Sequence, residues 1–405
     1  MRMNVQPIPS APGRVNDVRS LTAQIVNKEI LPHENFLWAW DGDARFQDSD
    51  LQQARELREE IKEKVKQAGL WAPHLPVEYG GAGLNFLEHA YMNEVLAYAI
   101  GAASLFGVVA PNSGNQSILV KYGTEEQKKR FLGPILTADE IWATGYSEPG
   151  SGSDMAAAKC KAERDGDDYV VNGQKVWTTI AHISDWYFVL VRTSSEGPKW
   201  AGLSLLLIDL KSPGIEVRPI RQITGDSEFN EVFLHDVRVP VSNLLGEEGQ
   251  GWEVVTSALI NERTGIAGSI RADQTFARLV GMAHKHAVVS DPIWRQRLSD
   301  LAIKAQITRS FGLRAMSDQL HGRINPHMSA AMKLFSTELS QRFSETGVDM
   351  LGTYGELWEG SARTPENGRW HYQFLYDRSM TIAGGTSEVQ RNIVAQRVLG
   401  LPRGT

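Results

Sequence analysis

The glycine- and serine-rich segment at residues 146–154, which reads YSEPGSGSD, contains groups that could bind a ligand. Glycines allow the backbone to present its N–H groups, and serine hydroxyls add side-chain donors, so such a loop can bind an anion or a polar ring oxygen. The segment is not a P-loop, because no Gly-Lys-Ser/Thr follows it, and its glycine spacing does not match a dinucleotide-binding fingerprint. An ordinary turn between two domains is the alternative interpretation.

A second segment, residues 171–179 (VNGQKVWTT), places a tryptophan next to hydroxyl groups. Asn172-Gly173 predicts a type I′ hairpin turn, and the strand after it would carry Trp177 and Thr178 on opposite faces. Trp177 could stack on a flat cofactor while Thr179 donates a hydrogen bond. For Trp177 taken alone, burial in a core is the more common role of such a large ring.

The composition of the chain limits its partners. Its 405 residues, at roughly 100–200 residues per domain, indicate two or three domains. The net charge of −6 gives no attraction to nucleic acid or to an anionic membrane. Cys160 is the only cysteine, which excludes an intramolecular disulfide and a zinc site with two or more thiolates.

The hydrophobic pattern predicts neither export nor a membrane span. The N-terminal residues lack the continuous apolar core of a signal peptide. The most apolar run, residues 202–210, is far shorter than the ~18 residues that a membrane helix needs. We therefore expect a cytoplasmic protein that does not use a membrane as a partner.

The elements that must position the two segments follow from the periodicity. Residues 1–143 repeat apolar side chains every three or four positions, and Thr124 with Gln127 forms a capping box that predicts the start of a helix. Residues 144–244 contain short runs rich in β-branched and aromatic residues, too close together for helices between them. Residues 245–405 return to helical periodicity. The expected class is α+β, with an N-terminal helical domain, a middle antiparallel β domain (a barrel or sandwich) and a C-terminal helical bundle.

Together, the two segments closely resemble the flavin-binding signature of the acyl-CoA dehydrogenase family. Further motifs of that family occur in the expected order along nearly the whole chain: PVEYGG at 76–81, YGTEEQK at 122–128, NLLG at 243–246, GQGW at 249–252 and GTSE at 385–388. The resemblance implies the helical–β–helical fold of an FAD-dependent acyl-CoA dehydrogenase that passes electrons to an electron-transfer flavoprotein.

The resemblance also implies which positions hold FAD. The segment from Thr144 to Ser153 falls on the flavin-contacting loop, and Trp177 and Thr179 fall on positions that pack against and hydrogen-bond the isoalloxazine. In the family, the positions around Asp349 usually contact the adenosine side from a neighbouring subunit, which implies a homodimer or homotetramer. The full set of implied cofactor residues is Thr144, Tyr146, Ser147, Ser153, Trp177, Thr178, Thr179, Asp349, Gly352, Thr353, Thr386 and Glu388.

The reaction of the family needs a carboxylate that removes the α-proton of the acyl-CoA while a hydride leaves the β-carbon. Many members carry a Glu directly before Gly-Thr in the C-terminal loop, but Gly384 occupies that position here. An alternative base position of the family, on the first helix after the β domain, is occupied by Glu262, with Arg263 beside it. We therefore expect Glu262 to be the base.

The remaining substrate contacts are also implied by resemblance. Gly384 falls on the position whose backbone N–H binds the thioester oxygen, and Ser153, Arg263 and Gly385 are implied substrate contacts. Members with a base on the helix often accept bulky acyl groups, so a branched, long or cyclic chain is expected; its identity cannot be read from the sequence.

The chain departs from the family at one further position. An Arg that usually reaches the flavin pyrophosphate across a subunit interface is missing near residues 282–292, and either Lys285 or His286 could replace its charge. A flavin monooxygenase or oxidase on the same fold, and a subunit of a hetero-oligomeric acyl-CoA dehydrogenase that lacks its own base, are the alternative functions.

Overall fold

The computed structural model describes residues 3–37, 47–99, 101–108, 112–137, 139–262, 267–323, 327–358 and 363–402. The chain divides into two compact units. One comprises Met1–His74, Ala82–Phe106 and Arg263–Thr405, and the other comprises Leu75–Gly81 and Gly107–Glu262. We call them the helical unit and the sheet unit.

The sheet unit contains one eight-stranded sheet. Its strands are β1 (Trp142–Gly145), β2 (Lys161–Asp165), β3 (Asp168–Thr179), β4 (Trp186–Arg192), β5 (Leu203–Asp209), β6 (Ile215–Ile220), β7 (Phe229–Pro240) and β8 (Leu244–Leu245). The order is β6-β7-β3-β2-β4-β5-β8, with β1 paired to β4. Most pairs are antiparallel, while β1 and β2 each pair in parallel with β4. The sheet is not closed, since β6 and β8 end the strand order.

Helices cover one face of this sheet: α5 (Asn112–Tyr122), α6 (Glu125–Thr137) and α7 (Gly251–Glu262). A buried cluster joins Ile118 of α5, Phe131 of α6 and Val254 of α7 to Trp142, Phe188 and other side chains of the sheet. The predicted capping box at the start of α6 is present, because the Thr124 N–H donates to Gln127 Oε1 at 3.1 Å and the Gln127 N–H donates to Thr124 Oγ1 at 3.2 Å.

A second cluster lies on the other face, where inward side chains of β3, β4, β5 and β7 pack on one another. Strand β4 contributes Phe188 to the first cluster and Tyr187 and Val189 to the second, so it is buried on both faces. This explains why its sequence is continuously apolar rather than alternating.

The prediction of a hairpin turn at Asn172-Gly173 is wrong. Both residues lie inside β3, at a register shift between Val171 and Gly173 against β7. A Cβ on Gly173 would lie 2.8 Å from Cys160 Sγ, so the glycine is required by close backbone approach rather than by a turn. The actual β2–β3 hairpin turns at Gly166, where φ is +65°.

The helical unit contains α1 (Gly13–Ile25), α2 (Glu34–Leu37), α3 (Asp48–Gln67), α4 (Phe86–Leu96), α8 (Ala267–Lys285), α9 (Pro292–Leu320), α10 (Met328–Leu351), α11 (Arg369–Met380) and α12 (Ser387–Ile393). A buried core in this unit joins Leu279 and Met282 of α8, Leu301 of α9, Phe343 of α10 and Trp370 of α11. This core fixes the position of α10, the helix that carries the candidate residue Asp349 and ends directly before Gly352 and Thr353.

Candidate functional site

In the sheet unit, Trp177 lies on a β-bulge and faces outward. The register between β3 and β7 shifts between Lys175 and Thr178, and Trp177 has a φ of +62°. Its side chain is 59 % exposed and contacts the Phe229 ring edge-on at a centroid distance of 6.4 Å. A left-handed conformation is costly for an aromatic residue and persists only where the surrounding structure enforces it. The bulge therefore holds a flat aromatic face outward at the position predicted to meet a cofactor.

The two threonines after Trp177 have different roles. Thr178 is buried, and its hydroxyl lies 2.7 Å from the Tyr187 hydroxyl, a phenol whose pKa is raised by burial. The Thr178 hydroxyl thus already has a hydrogen-bond partner inside the sheet. Thr179 is partly buried at the end of β3, and its hydroxyl has no partner among the residues that the structure describes. The predicted hydrogen bond to a cofactor therefore suits Thr179 better than Thr178.

The loop at residues 146–154 runs alongside β3. Glu148 and Ser151 exchange backbone hydrogen bonds of 3.0 Å in both directions, and the Ser151 hydroxyl donates to the Asp154 carbonyl at 2.8 Å. The Val176 N–H donates to the Ser147 carbonyl at 3.0 Å, next to Trp177 in the chain. The structure thus brings Ser147 close to Trp177 and leaves Ser153 exposed.

The start of this loop is tightly packed as well. Thr144 pairs with Phe188 in the sheet, and a Cβ on Gly145 would collide with the Tyr187 phenol. Tyr146 packs partly buried against the helix-covered cluster. These contacts fix the direction in which the chain leaves β1 and enters the loop.

Sequence reasoning missed an ion pair beneath the loop. Lys175 is fully buried, and its Nζ lies 2.8 Å from Glu148 Oε1. The signal was present in the sequence, because Lys175 is the one charged residue in an otherwise uncharged run of β3 from Val170 to Thr179. A buried lysine needs a partner, and Glu148 is the carboxylate of the adjacent loop.

In the helical unit, the loop between α11 and α12 contains Gly384 and Gly385, with φ of +65° and +97°. The Gln390 amide donates to the carbonyls of Gly384 and Gly385, at 3.1 and 3.2 Å, and Lys333 Nζ donates to the Gly385 carbonyl at 2.7 Å. Thr386 caps α12 by accepting from the Val389 N–H at 3.2 Å. The loop is therefore held through its carbonyls, while Gly384 itself lies exposed.

This loop borders a polar cavity of about 500 Å³ against α10. Its lining residues are Glu338, Gln341, Arg342, Glu345, Thr381, Ile382, Thr386, Ser387, Glu388 and Arg391. The predicted contacts Thr386 and Glu388 are among them, and the pKa of Glu388 is lowered by hydrogen bonds from its own backbone N–H and from Thr386. The Ser387 hydroxyl is buried with no hydrogen-bond partner in the described part of the chain.

The other adenosine-side candidates lie at the far end of α10. Asp349 pairs with Arg297 of α9 at 2.8 Å, and Gly352 and Thr353 follow as exposed residues of a short 3₁₀ turn. Glu345, the cavity-lining residue of α10 nearest to Asp349 in the chain, is roughly 6 Å from it along the helix axis at 1.5 Å per residue. Asp349, Gly352 and Thr353 are not among the described residues that line the cavity with Thr386 and Glu388.

Four further predicted residues remain. Glu262 is the last residue of α7, but its side chain and all of Arg263 lie outside the described residues. Lys285 ends α8, and His286 follows it; both side chains are exposed, so neither is excluded as a replacement for the missing arginine.

Two kinds of feature are absent from the described residues. The described residues contain no group of three or more His, Cys, Asp or Glu side chains that could hold a metal ion. None of the helices formed by these residues has the length and apolar character that a membrane span requires.

Comparison with known proteins identifies the family to which this fold belongs. Models of the acyl-CoA dehydrogenase N-terminal, middle and C-terminal domains match residues 16–139, 143–237 and 249–399. The chain belongs to the acyl-CoA dehydrogenase family, and the predicted class and helical–β–helical fold are confirmed.

Individual relatives cover nearly the whole chain. Acyl-CoA dehydrogenase IpdE1 of Mycolicibacterium smegmatis is 38 % identical over 367 residues, covering 87 % of this chain and 90 % of its own. Two similar solved structures, each 29 % identical, are the "Tcur3481-Tcur3483 steroid ACAD", with a TM-score of 0.82 over 97 % of this chain and 99 % of its own, and the ChsE4-ChsE5 complex from Mycobacterium tuberculosis, with a TM-score of 0.80 over the full length of both chains.

Proposed function

We propose that the protein catalyses FAD-dependent α,β-dehydrogenation of an acyl-CoA thioester whose acyl group is bulky. The observation that supports this best is Trp177, an exposed aromatic face held in a strained conformation beside a loop rich in hydrogen-bond donors. Few reasons other than ligand binding explain why a protein would hold a large ring outward at such a cost. Because members of the family are FAD-dependent, we take the ligand to be a flavin.

The described residues fit FAD. In the sheet unit, Trp177 would lie against the isoalloxazine, and Ser147 and Thr179 would hydrogen-bond its polar edge. In the helical unit, the cavity of about 500 Å³ is within the roughly 300–1,000 Å³ range of ligand pockets. Its hydroxyls suit a nucleoside, whereas its three glutamates against two arginines do not suit a pyrophosphate. FAD supplies the hydride acceptor of the reaction.

Glu262 removes the α-proton in this proposal, and the Gly384 backbone N–H binds the thioester oxygen. The N–H donor stabilises the negative charge that develops on that oxygen as the α-proton leaves. A glycine at position 384 can bind the thioester oxygen, because this role requires only a backbone N–H. It cannot remove the α-proton, because it has no carboxylate. Electrons then pass to an electron-transfer flavoprotein.

The relatives favour a particular substrate class. One similar structure carries "steroid ACAD" in its title. We therefore propose that the acyl group is attached to a fused ring system, consistent with a base on the helix rather than in the C-terminal loop.

A second candidate function is one subunit of a two-chain dehydrogenase whose partner supplies the base. Both similar structures have titles that name two different chains, and Gly384 replaces the usual glutamate. In that case the protein alone would bind FAD without oxidising an acyl-CoA.

One experiment separates these proposals. The purified protein is examined for a flavin spectrum and then mixed anaerobically with straight, branched and steroid-linked acyl-CoAs. Bleaching by a ring-bearing thioester, abolished by Glu262→Gln, supports the main proposal. Near-normal bleaching in Glu262→Gln contradicts the role of Glu262, and FAD binding without bleaching favours the two-chain enzyme.

A further inference from the structure

Glu148 and Lys175 form a charge pair at the junction of three chain segments. Lys175 belongs to β3, Glu148 belongs to the loop at residues 146–154, and the two side chains are 0 % and 8 % exposed. Besides its 2.8 Å contact with Glu148, Lys175 Nζ donates to the Tyr146 carbonyl at 3.3 Å. The lysine therefore binds both the first residue of the loop and its carboxylate.

Both oxygens of the Glu148 carboxylate accept hydrogen bonds. It accepts from the backbone N–H groups of Lys159 and Cys160, at 2.7 and 2.8 Å, in addition to Lys175. Burial alone would raise the pKa of Glu148, but the charge and hydrogen bond of Lys175 and the two backbone donors bring it below its ordinary value. The Glu148 side chain ties the loop to the residues just before β2 and, through Lys175, to the strand that carries Trp177.

Stability alone does not explain such a pair. Removing two charges from water is costly, and an apolar pair of similar size often stabilises a core as well or better. A buried polar pair does, however, select one arrangement of the segments it joins, because any other arrangement leaves a charge unpaired. Here the selected arrangement is the position of Ser147 relative to Trp177.

We propose that Glu148 and Lys175 are positioning residues for the flavin site: they fix the loop at residues 146–154 against β3 so that its donors and the Trp177 ring form one binding surface. Neither residue touches the flavin in this proposal. The inference rests on the proposed function, since it takes the bound ligand to be FAD.

The test compares single and double substitutions. Glu148→Gln and Lys175→Met each leave one buried group without its charged partner, whereas the double variant leaves no unpaired charge. Lys199→Met is the matched control, because it breaks an exposed ion pair of 3.0 Å with Asp154 at the end of the same loop. The measurements are the unfolding midpoint of the apoprotein, the dissociation constant for FAD, the absorption maxima of bound flavin, and amide exchange over residues 146–154.

If the pair positions the flavin site, the double variant should lose flavin affinity without a matching loss of stability. The double variant should recover stability relative to the single variants, yet keep a dissociation constant for FAD raised roughly ten-fold or more, faster amide exchange in the loop and shifted flavin maxima. The control should match the wild type. Because the single variants can fail to fold, the double variant carries the test.

Two outcomes overturn the proposal. If the double variant binds FAD within about two-fold of the wild type, with unchanged flavin maxima, the pair is structural only. If wild-type protein binds no FAD at all, the proposed function fails with it. Wild-type binding together with unaffected variants therefore refutes the positioning role alone.

Discussion

Trp177 combines three properties that rarely coincide: a large aromatic ring, a left-handed backbone conformation and an exposed side chain. The Thr178 hydroxyl is hydrogen-bonded to the buried Tyr187 hydroxyl, which fixes Thr178 inside the sheet. Trp177, directly before it, therefore has to adopt the strained bulge conformation. Trp177 itself adds little to the core. Its replacement should therefore affect binding far more than folding.

For Trp177→Leu, we expect FAD affinity to fall by roughly ten-fold or more, since aromatic stacking and the area under the ring are lost. The thermal unfolding midpoint of the apoprotein should change little. Trp200→Leu is the control, because Trp200 is also exposed, at 51 %. Equal loss of affinity in both variants would show that Trp177 has no special role.

Gly384 offers a gain-of-function test at the residue scale. A Cβ at this position would meet no atom within 4 Å, but its φ of +65° opposes any other residue, and the strain costs roughly 1–2 kcal/mol. In a Glu262→Gln background, Gly384→Glu should restore part of the flavin bleaching by an acyl-CoA, because it returns a carboxylate to the usual position of the family. Gly384→Gln is its control, and bleaching by the control would argue against proton removal at this position.

The lowered pKa of Glu148 predicts a contribution to acid unfolding. Because its folded pKa lies below the unfolded value, its stabilisation is present above about pH 4.3 and is lost as the pH falls through the folded pKa. Acid should therefore unfold the wild type with an uptake of protons that the Glu148→Gln, Lys175→Met double variant lacks. Unfolding curves between about pH 2 and pH 7 check this; identical curves would mean that Glu148 does not contribute to the acid transition.

At the element scale, the Gln390 amide is one of the donors that hold the loop between α11 and α12, together with Lys333. The Gln390 side chain holds two carbonyls, and its loss leaves them without that donor. We expect Gln390→Met to cost about 1–3 kcal/mol of unfolding free energy and to raise KM for the acyl-CoA. Thr124→Ala, which removes the cap of α6, should cost about 1 kcal/mol without changing KM. A KM effect in both variants would indicate a general loss of stability instead.

At the scale of the whole molecule, Asp349 lies about one turn of α10, roughly 6 Å, beyond the cavity-lining residue Glu345 and does not itself line the cavity. We infer, in keeping with the family resemblance, that the Asp349 group serves the FAD of a neighbouring subunit. If so, mixing a Trp177→Leu chain with an Asp349→Ala chain should restore about a quarter of the binding sites in a randomly reassembled oligomer. FAD titration after dilution and reassembly measures this. No recovery would mean that each site is built from one chain.

Much of this architecture could be predicted from the sequence because it depends on local periodicity. The change from three- and four-residue repeats to short β-branched runs near Ala143 predicted the β domain, and the Thr124–Gln127 capping box correctly marked the start of α6. The turn at Asn172-Gly173 was mispredicted, because the same dipeptide suits a tight turn and a close backbone contact equally well. Only the proximity of Cys160 decided between them.

The sequence by itself determined the family of this protein and the candidate residues of its two half-sites, because both are encoded in short ordered motifs. The tertiary structure decided which side chains can act. It placed Trp177 outside and Thr178 inside, and it paired Lys175 with a glutamate 27 residues away. Burial and long-range pairing are properties of the folded chain. The lone charge of Lys175 within β3 indicated that a partner was needed, but only the fold identified Glu148 as that partner.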